Sequence, residues 1–442
     1  MKSTVNNRSV LRLAIPNIFA NITVPLVGLV DLAVAGHIGD TAMIGGIAIA
    51  TMLFDLLYWN LGFLRVGTSG MVAQAYGSGD FRTATRVLVQ GLFTALVISL
   101  IIWAIQWIYV EGAFALVESS PEVEQLARDY FFIRIWAAPA TLGNFAFKGF
   151  FIGMQNAVRP MAVDITINGV NIATCVWFSL YGTMGIKGIA LSTLIAQYSG
   201  LLLALFFTAR HYRSLFAGLN IREALQLKAF RRFFAVNSNL FLRSICFLLI
   251  YAGFTSISTG YGEIPLAIGT IMMKIMMLYS YFADGFAYAG EALSGRFIGA
   301  RERDNLRKAV RLVFLWGLYV SLLSTLLYVA GGGAMLRFLT SQQEVIEAAS
   351  NYLPWLWIMP ALSCAAFTWD GIYIGATATA SIRNSMLWAV AVFFLTYYSL
   401  KPICGLDALF AAYMAHLFAR GLYLTISAKR EIWSVIQTKT SL

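Results

Sequence analysis

Charged side chains are scarce in this sequence. Asp, Glu, Lys and Arg make up 12% of its 442 residues, where a soluble chain carries roughly 25%. Beside 59% hydrophobic residues, that deficit excludes an ordinary soluble globule. Cysteine is as sparse. Cys175, Cys246, Cys364 and Cys404 fall in or beside apolar segments, at no metal-ligand or disulfide spacing. They read as small buried hydrophobes, with Cys175 a partial exception. His37, His211 and His416 are scattered without a motif. Walker A and HExxH patterns are both missing, which excludes direct ATP drive and zinc-protease chemistry. With no catalytic constellation and no cofactor motif, the chain does not read as an enzyme.

What the sequence does contain is a succession of apolar runs, each long enough, at about 20 residues, to cross a bilayer. Twelve are expected, at 13–37, 43–64, 87–110, 130–153, 160–180, 188–209, 235–257, 265–293, 312–330, 350–375, 384–400 and 406–427. A transmembrane barrel would show short alternating segments instead. The first run, behind Lys2, Arg8 and Arg12, is too long for a signal peptide and has no small-residue cleavage site, so it reads as a retained span. The net charge of +11 resolves once the cations are placed: the termini and even-numbered loops hold 22 Lys and Arg, the odd-numbered loops 4. That bias reports topology, with both termini cytoplasmic, and not nucleic-acid binding. The odd loop with Glu111, Glu118, Glu122 and Glu124 suits the outside.

The longest polar stretch, Arg210 to Arg232, is basic and divides the chain. The expected organisation is an N-terminal six-helix lobe (1–209), a cytoplasmic linker (210–234) that is either solvated or laid along the lipid surface, and a C-terminal six-helix lobe (235–442). The halves repeat at an offset of 222. Lys148-Gly-Phe-Phe-Ile-Gly153 matches Asp370-Gly-Ile-Tyr-Ile-Gly375, Gly62…Gly67…Gly77 matches Gly285…Gly290…Gly299, and Asn17 matches Asn239. Six spans repeated in one orientation give two parallel halves about an axis along the membrane normal, able to enclose a central cavity.

Against this apolar background a few polar groups stand out. Asp31 sits among Val30, Leu32, Ala33, Val34 and Ala35. An ionised carboxylate at that depth costs several kcal/mol unless a partner, water or a cation faces it, so Asp31 is a candidate proton carrier. Pro25 removes a backbone donor six residues earlier and predicts a hinge. Asp164, Asn168, Asn171 and Cys175 recur at steps of four, three and four, on one helical face that Thr193 can join. Carboxylate, amide and hydroxyl oxygens together suit a proton or a hard cation such as Na⁺; interhelical glue is the plainer reading of the amides and of Thr193. The second half offers a C-lobe polar set of Asp370, Asp284, Glu291 and Lys274, which with Lys148 can form interior ion pairs. Arg65, near a span end, can snorkel. Met272, Met273, Met276, Met277, Tyr279, Tyr281 and Phe282 crowd span eight, as in a soft surface for varied apolar ligands or in any membrane core.

Several stretches resemble the multidrug and toxic compound extrusion (MATE) family, in its DinF-like branch. They are Pro16…Asn21-Ile-Thr-Val-Pro-Leu-Val-Gly-Leu-Val-Asp31…Gly36-His-Ile-Gly, Ala73-Gln-Ala-Tyr-Gly77, Asp284-Gly-Phe-Ala-Tyr-Ala-Gly-Glu-Ala292 with Ser294-Gly, and Asp370-Gly-Ile-Tyr-Ile-Gly-Ala-Thr377. The resemblance implies an all-α membrane protein of twelve transmembrane helices in two pseudo-symmetric lobes, exporting organic cations and other toxic compounds in exchange for H⁺ or Na⁺. It implies that Asp31 is the key acid of the N-terminal lobe, with Asn171 and Thr193 at a cation site beside it. The chain departs from the family where an Asn-Ile-x-Leu-Asp pattern reads Asn171-Ile-Ala-Thr-Cys175, so the second acid is replaced by a thiol. In another branch the cation site uses acids of spans seven and ten. Asp370 matches the span-ten acid, but span seven has none.

These readings converge on an H⁺-coupled efflux antiporter of the bacterial inner membrane. It is expected to be a monomer moving a small cationic or amphipathic molecule by alternating access, without cofactor or nucleic acid. The alternatives are Na⁺ coupling at Asp31, Asn171 and Thr193, a lipid-linked saccharide flippase needing a basic interior groove (candidates Lys148, Arg243 and Lys274), and a membrane protein that transports nothing.

Overall fold

The computed structural model describes residues 5–38, 41–115, 117, 119–182 and 184–434. The expected cytoplasmic ends of the chain, 1–4 and 435–442, lie outside them. Among the described residues there is no strand. The helices are α1 Asn7–Ile38, α2 Thr41–Leu61, α3 Phe63–Ser78, α4 Phe81–Phe114, α5 Pro121–Arg134, α6 Ala138–Gly153, α7 Val158–Val176 and α8 Gly185–His211. They continue as α9 Ile221–Ala224, α10 Leu227–Thr259, α11 Glu263–Gly299, α12 Arg303–Leu339, α13 Gln343–Ser350, α14 Leu353–Gly375, α15 Thr379–Cys404 and α16 Asp407–Ala428. All twelve expected apolar segments fall on these helices. By length and apolarity alone, nine stretches among the described residues qualify as spans.

Backbone chemistry sets the breaks. The segment expected at 130–153 starts earlier, at Pro121, and is interrupted by a 3₁₀ turn, Ile135–Ala137, just before Pro139. Proline supplies no N–H and clashes one turn back, which weakens α-helical bonding at this point. The segment expected to end at 64 continues as α3 to Ser78. There Gly79, at φ +73°, takes the left-handed conformation that favours glycine, and Asp80 caps α4. α1, by contrast, runs on as helix through Pro25, whose ring is exposed. Trp177–Tyr181 forms a π-helical turn at the end of α7.

The chain forms two compact units, one of residues 5–18, 73–79 and 235–434, the other of 19–72 and 80–234. In the first unit Met272, Met273, Met276 and Tyr279 are buried in a core with Phe254, Phe393 and Phe410. This half of the span-eight cluster is therefore packing and not an open adaptable surface; Met277, Tyr281 and Phe282 are only partly buried. In the second unit Phe54, Tyr130, Phe131, Phe147, Phe150 and Phe151 are fully or almost fully buried.

The 222-residue repeat appears as repeated helix crossings. A Cβ on Gly149 would collide with the carbonyl of Arg65; one on Gly371 would collide with the carbonyl of Ala287. Residues 149 and 371, like 65 and 287, are one repeat apart. Gly153 packs on Ser69 and Val72 as Gly375 packs on Glu291 and Ser294, again at the same offset. In both halves a glycine stripe lets two backbones approach closely, as membrane helices do where no hydrophobic effect drives them together.

Candidate functional site

Asp31, three turns beyond Asn21 on α1, is partly buried, and α7 brings polar groups to it. The Cys175 thiol lies near the carboxylate, and near Ser179 and Ser192. One turn back on α7, Asn171 Nδ2 donates to Thr193 Oγ1 of α8 at 3.0 Å. A further turn back, Asn168 Nδ2 donates to Thr23 Oγ1 of α1 at 2.6 Å, tying the two helices together. The polar stripe read from the sequence thus meets α1 and α8. Among the described residues Oδ1 of Asp31 and Oδ1 of Asn171 have no hydrogen-bond partner. Two acceptor atoms are left for a proton or a cation.

Sequence reasoning passed over the cation at this site. The Arg134 guanidinium, at the end of α5, exerts its charge on Asp31, Tyr130 and Tyr58. Its Nη1 donates to the Tyr130 hydroxyl at 3.0 Å, and its plane lies 4.5 Å from the Phe54 ring centroid. Tyr130 is fully buried and its hydroxyl reaches Thr193, which links the arginine to the Asn171–Thr193 pair. The signal was available: an arginine between Ile133 and Ile135 is costly beside lipid and calls for an interior partner.

Asp164 does not join Asp31. It is ion-paired with Lys148 of α6, and both side chains are largely shielded. Each neutralises the other, which removes Lys148 as a free basic group. Asn144 of α6, also passed over, donates to the backbone carbonyl of Gln197 at 3.0 Å.

The C-terminal set divides. Asp370, 6% exposed, is ion-paired with Arg243 of α10 and with Arg420 of α16 at 3.1 Å. Where another branch of the resembled family has an acid, α10 brings a guanidinium. Arg243 and Arg420 both pack on the Phe247 ring, at 5.3 and 5.1 Å. Asp284, partly buried on α11, acts on Arg420 at longer range. Glu291 is fully buried on α11. Lys274 is exposed, while its neighbours Met273 and Ile275 are buried. His416 lies buried one turn before Arg420, against the rings of Tyr413 and Phe393.

With this geometry in hand, comparison with known proteins gives a consistent result. The MatE family model matches residues 16–177 and 240–398. The chain is 34% identical over 427 residues to DNA damage-inducible protein F of Escherichia coli (strain K12), covering 97% of this chain and 93% of that one. It is 30% identical over 181 residues to the probable multidrug resistance protein NorM of Bradyrhizobium diazoefficiens, covering 41% and 38%. Among solved structures, an outward-facing multidrug resistance MATE family transporter superposes with a TM-score of 0.86 at 17% identity, covering 98% of this chain and 97% of that one. A MATE in the bent conformation superposes at 0.88 with 17% identity, covering 100% of each chain. These likenesses establish the fold.

Proposed function

Since this chain belongs to the MatE family, we propose that it is an H⁺-coupled efflux antiporter for small amphipathic compounds. Asp31 is the proton-carrying group. The observation that carries the reading is the Asp31 carboxylate, with one oxygen unpartnered, set between a thiol and a guanidinium. Such an acid can take up a proton on one side of the membrane and release it on the other, and each charge state changes its balance with Arg134.

The donor set favours H⁺ over Na⁺. A sodium site wants several hard oxygens. Here Asp31 supplies the carboxylate, Asn171 an amide and Thr193 a hydroxyl, while position 175 offers sulfur. Arg134 already places a fixed positive charge beside them, which repels a metal ion. Alternating access, a monomeric state, and an inner-membrane location with cytoplasmic termini complete the proposal. The 22-to-4 distribution of Lys and Arg supports the orientation. The flippase reading draws less support from the N-terminal half, where Lys148 is closed by Asp164.

The test is flux of ethidium in proteoliposomes under an imposed pH gradient, then under a Na⁺ gradient, with Asp31→Asn as the comparison. Uptake driven by the pH gradient and lost in Asp31→Asn supports the proposal. Full proton-driven export by that variant would sink it, and uptake driven only by Na⁺ would replace the coupling ion.

A further inference from the structure

The coupling scheme makes no use of the guanidinium cluster of the C-terminal half. Arg420 is 1% exposed, yet its Nε and Nη1 have no hydrogen-bond partner among the described residues, and neither has Nε of Arg243. Burying such donors without acceptors is costly. A third guanidinium is bonded to α10 one turn from Arg243. Arg383 Nη1 donates to Asn239 Oδ1 at 2.8 Å, and its Nε and Nη2 donate to Asn384 Oδ1 at 3.0 and 2.8 Å. Asn239 lies one turn before Arg243 on the same face of α10.

The acids do not balance these cations. Asp370 is shared by Arg243 and Arg420, Asp284 acts at longer range, and Arg383 is held by neutral amide oxygens. Three guanidiniums therefore meet two carboxylates. The surplus is positive, the free donors belong to planar forks that match an oxyanion, and Phe247 supplies an apolar wall against both Arg243 and Arg420. Arg243, with its side chain 17% exposed, and the partly exposed Arg383 are the members a ligand can reach from outside the cluster.

We infer that Arg243, Arg383 and Arg420 bind the oxyanion of an amphipathic ligand, a carboxylate or a phosphate group. The inference rests on the transport reading only in calling that ligand a substrate. It adds compounds that carry an anionic group to the small amphipathic compounds of that reading.

The test is direct binding to the purified full-length protein in detergent, followed by fluorescence polarisation of carboxyfluorescein, with ethidium as the cationic comparison. Carboxyfluorescein is expected to bind, and Arg383→Gln to weaken it about tenfold, the loss of one charge-assisted hydrogen bond. Arg420→Lys, which keeps the charge but loses the fork, is expected to weaken it at least as much. Ethidium affinity should not move. Displacement by decanoate alone assigns a carboxylate amphiphile; displacement by inorganic pyrophosphate alone assigns a phosphate head group. Absence of carboxyfluorescein binding, or unchanged affinity in Arg383→Gln, overturns the inference, and this variant decides alone if Arg420→Lys fails to fold. No proton gradient enters the measurement, so failure of the antiport reading is separately visible.

Discussion

The Cys175 thiol faces the Asp31 carboxylate, at the position where the family pattern has a second acid. A hydrogen-bond donor thus stands where a second negative charge would compete for the same cation. Cys175→Asp should therefore change ion selectivity. A second carboxylate supplies the hard oxygens that Na⁺ needs, so ethidium flux in this variant is expected to become stimulated by a Na⁺ gradient. Cys175→Ser should keep proton-driven flux within a few-fold of the parent. Absence of any Na⁺ response in Cys175→Asp would show that Arg134, not the thiol, sets selectivity.

Arg134 donates to Tyr130 and acts electrostatically on Asp31, beside the Asn171–Thr193 pair. Arg134→Gln removes the counter-charge and leaves the carboxylate among uncharged neighbours. Proton-driven flux is expected to fall at least tenfold, with insertion into the membrane preserved. Arg134→Lys should recover part of it, because the charge returns without the planar stacking on Phe54. The measurement is initial flux normalised to protein reconstituted.

Gly149 and Gly371 make one crossing twice, so their replacement should cost similar amounts. Gly149→Ala and Gly371→Ala each drive a methyl into a carbonyl, which forces the helices apart. A destabilisation of about 1–3 kcal/mol is expected for such overpacking. Gly169→Ala meets nothing within 4 Å and should stabilise by roughly 0.5–1 kcal/mol through helix propensity. Thermal unfolding of the three variants in detergent checks both signs.

Asp80 caps α4 outside the apolar segments. It accepts from the Thr83 hydroxyl at 2.6 Å and the Thr83 amide at 3.0 Å, and these bonds hold its carboxyl below the usual carboxylate range. A depressed folded-state pKa means the cap contributes fully above the unfolded value, near 3.9, and is lost as pH falls through the lower folded one. Asp80→Ala should cost about 0.5–2 kcal/mol at neutral pH. Its deficit relative to the parent should shrink on acidification below about pH 4. A constant deficit across that range would assign the cap's contribution to something other than the ionised carboxylate.

By itself the sequence determined the helical membrane class, the twelve apolar segments, the 222-residue repeat, the polar stripe Asp164, Asn168, Asn171 and Cys175, and Asp31 as a charge in an apolar run. Each follows from local quantities: run length, 3.6-residue spacing, and the cost of charge in an apolar run. Only the tertiary structure decided the partners. Lys148 meets Asp164 within one half, Asp370 meets Arg243 and Arg420 across 127 and 50 residues of chain, and Arg134 lies beside Asp31 from four helices away. No spacing along the chain carries such pairings, because which faces of distant helices meet is set by packing. The repeat makes the same point. Its glycine crossings recur faithfully because backbone approach tolerates only small residues, whereas the charged groups differ between halves. Position 31 is an acid and its counterpart, position 253, is glycine; the glycine crossings repeat and the chemistry beside them does not.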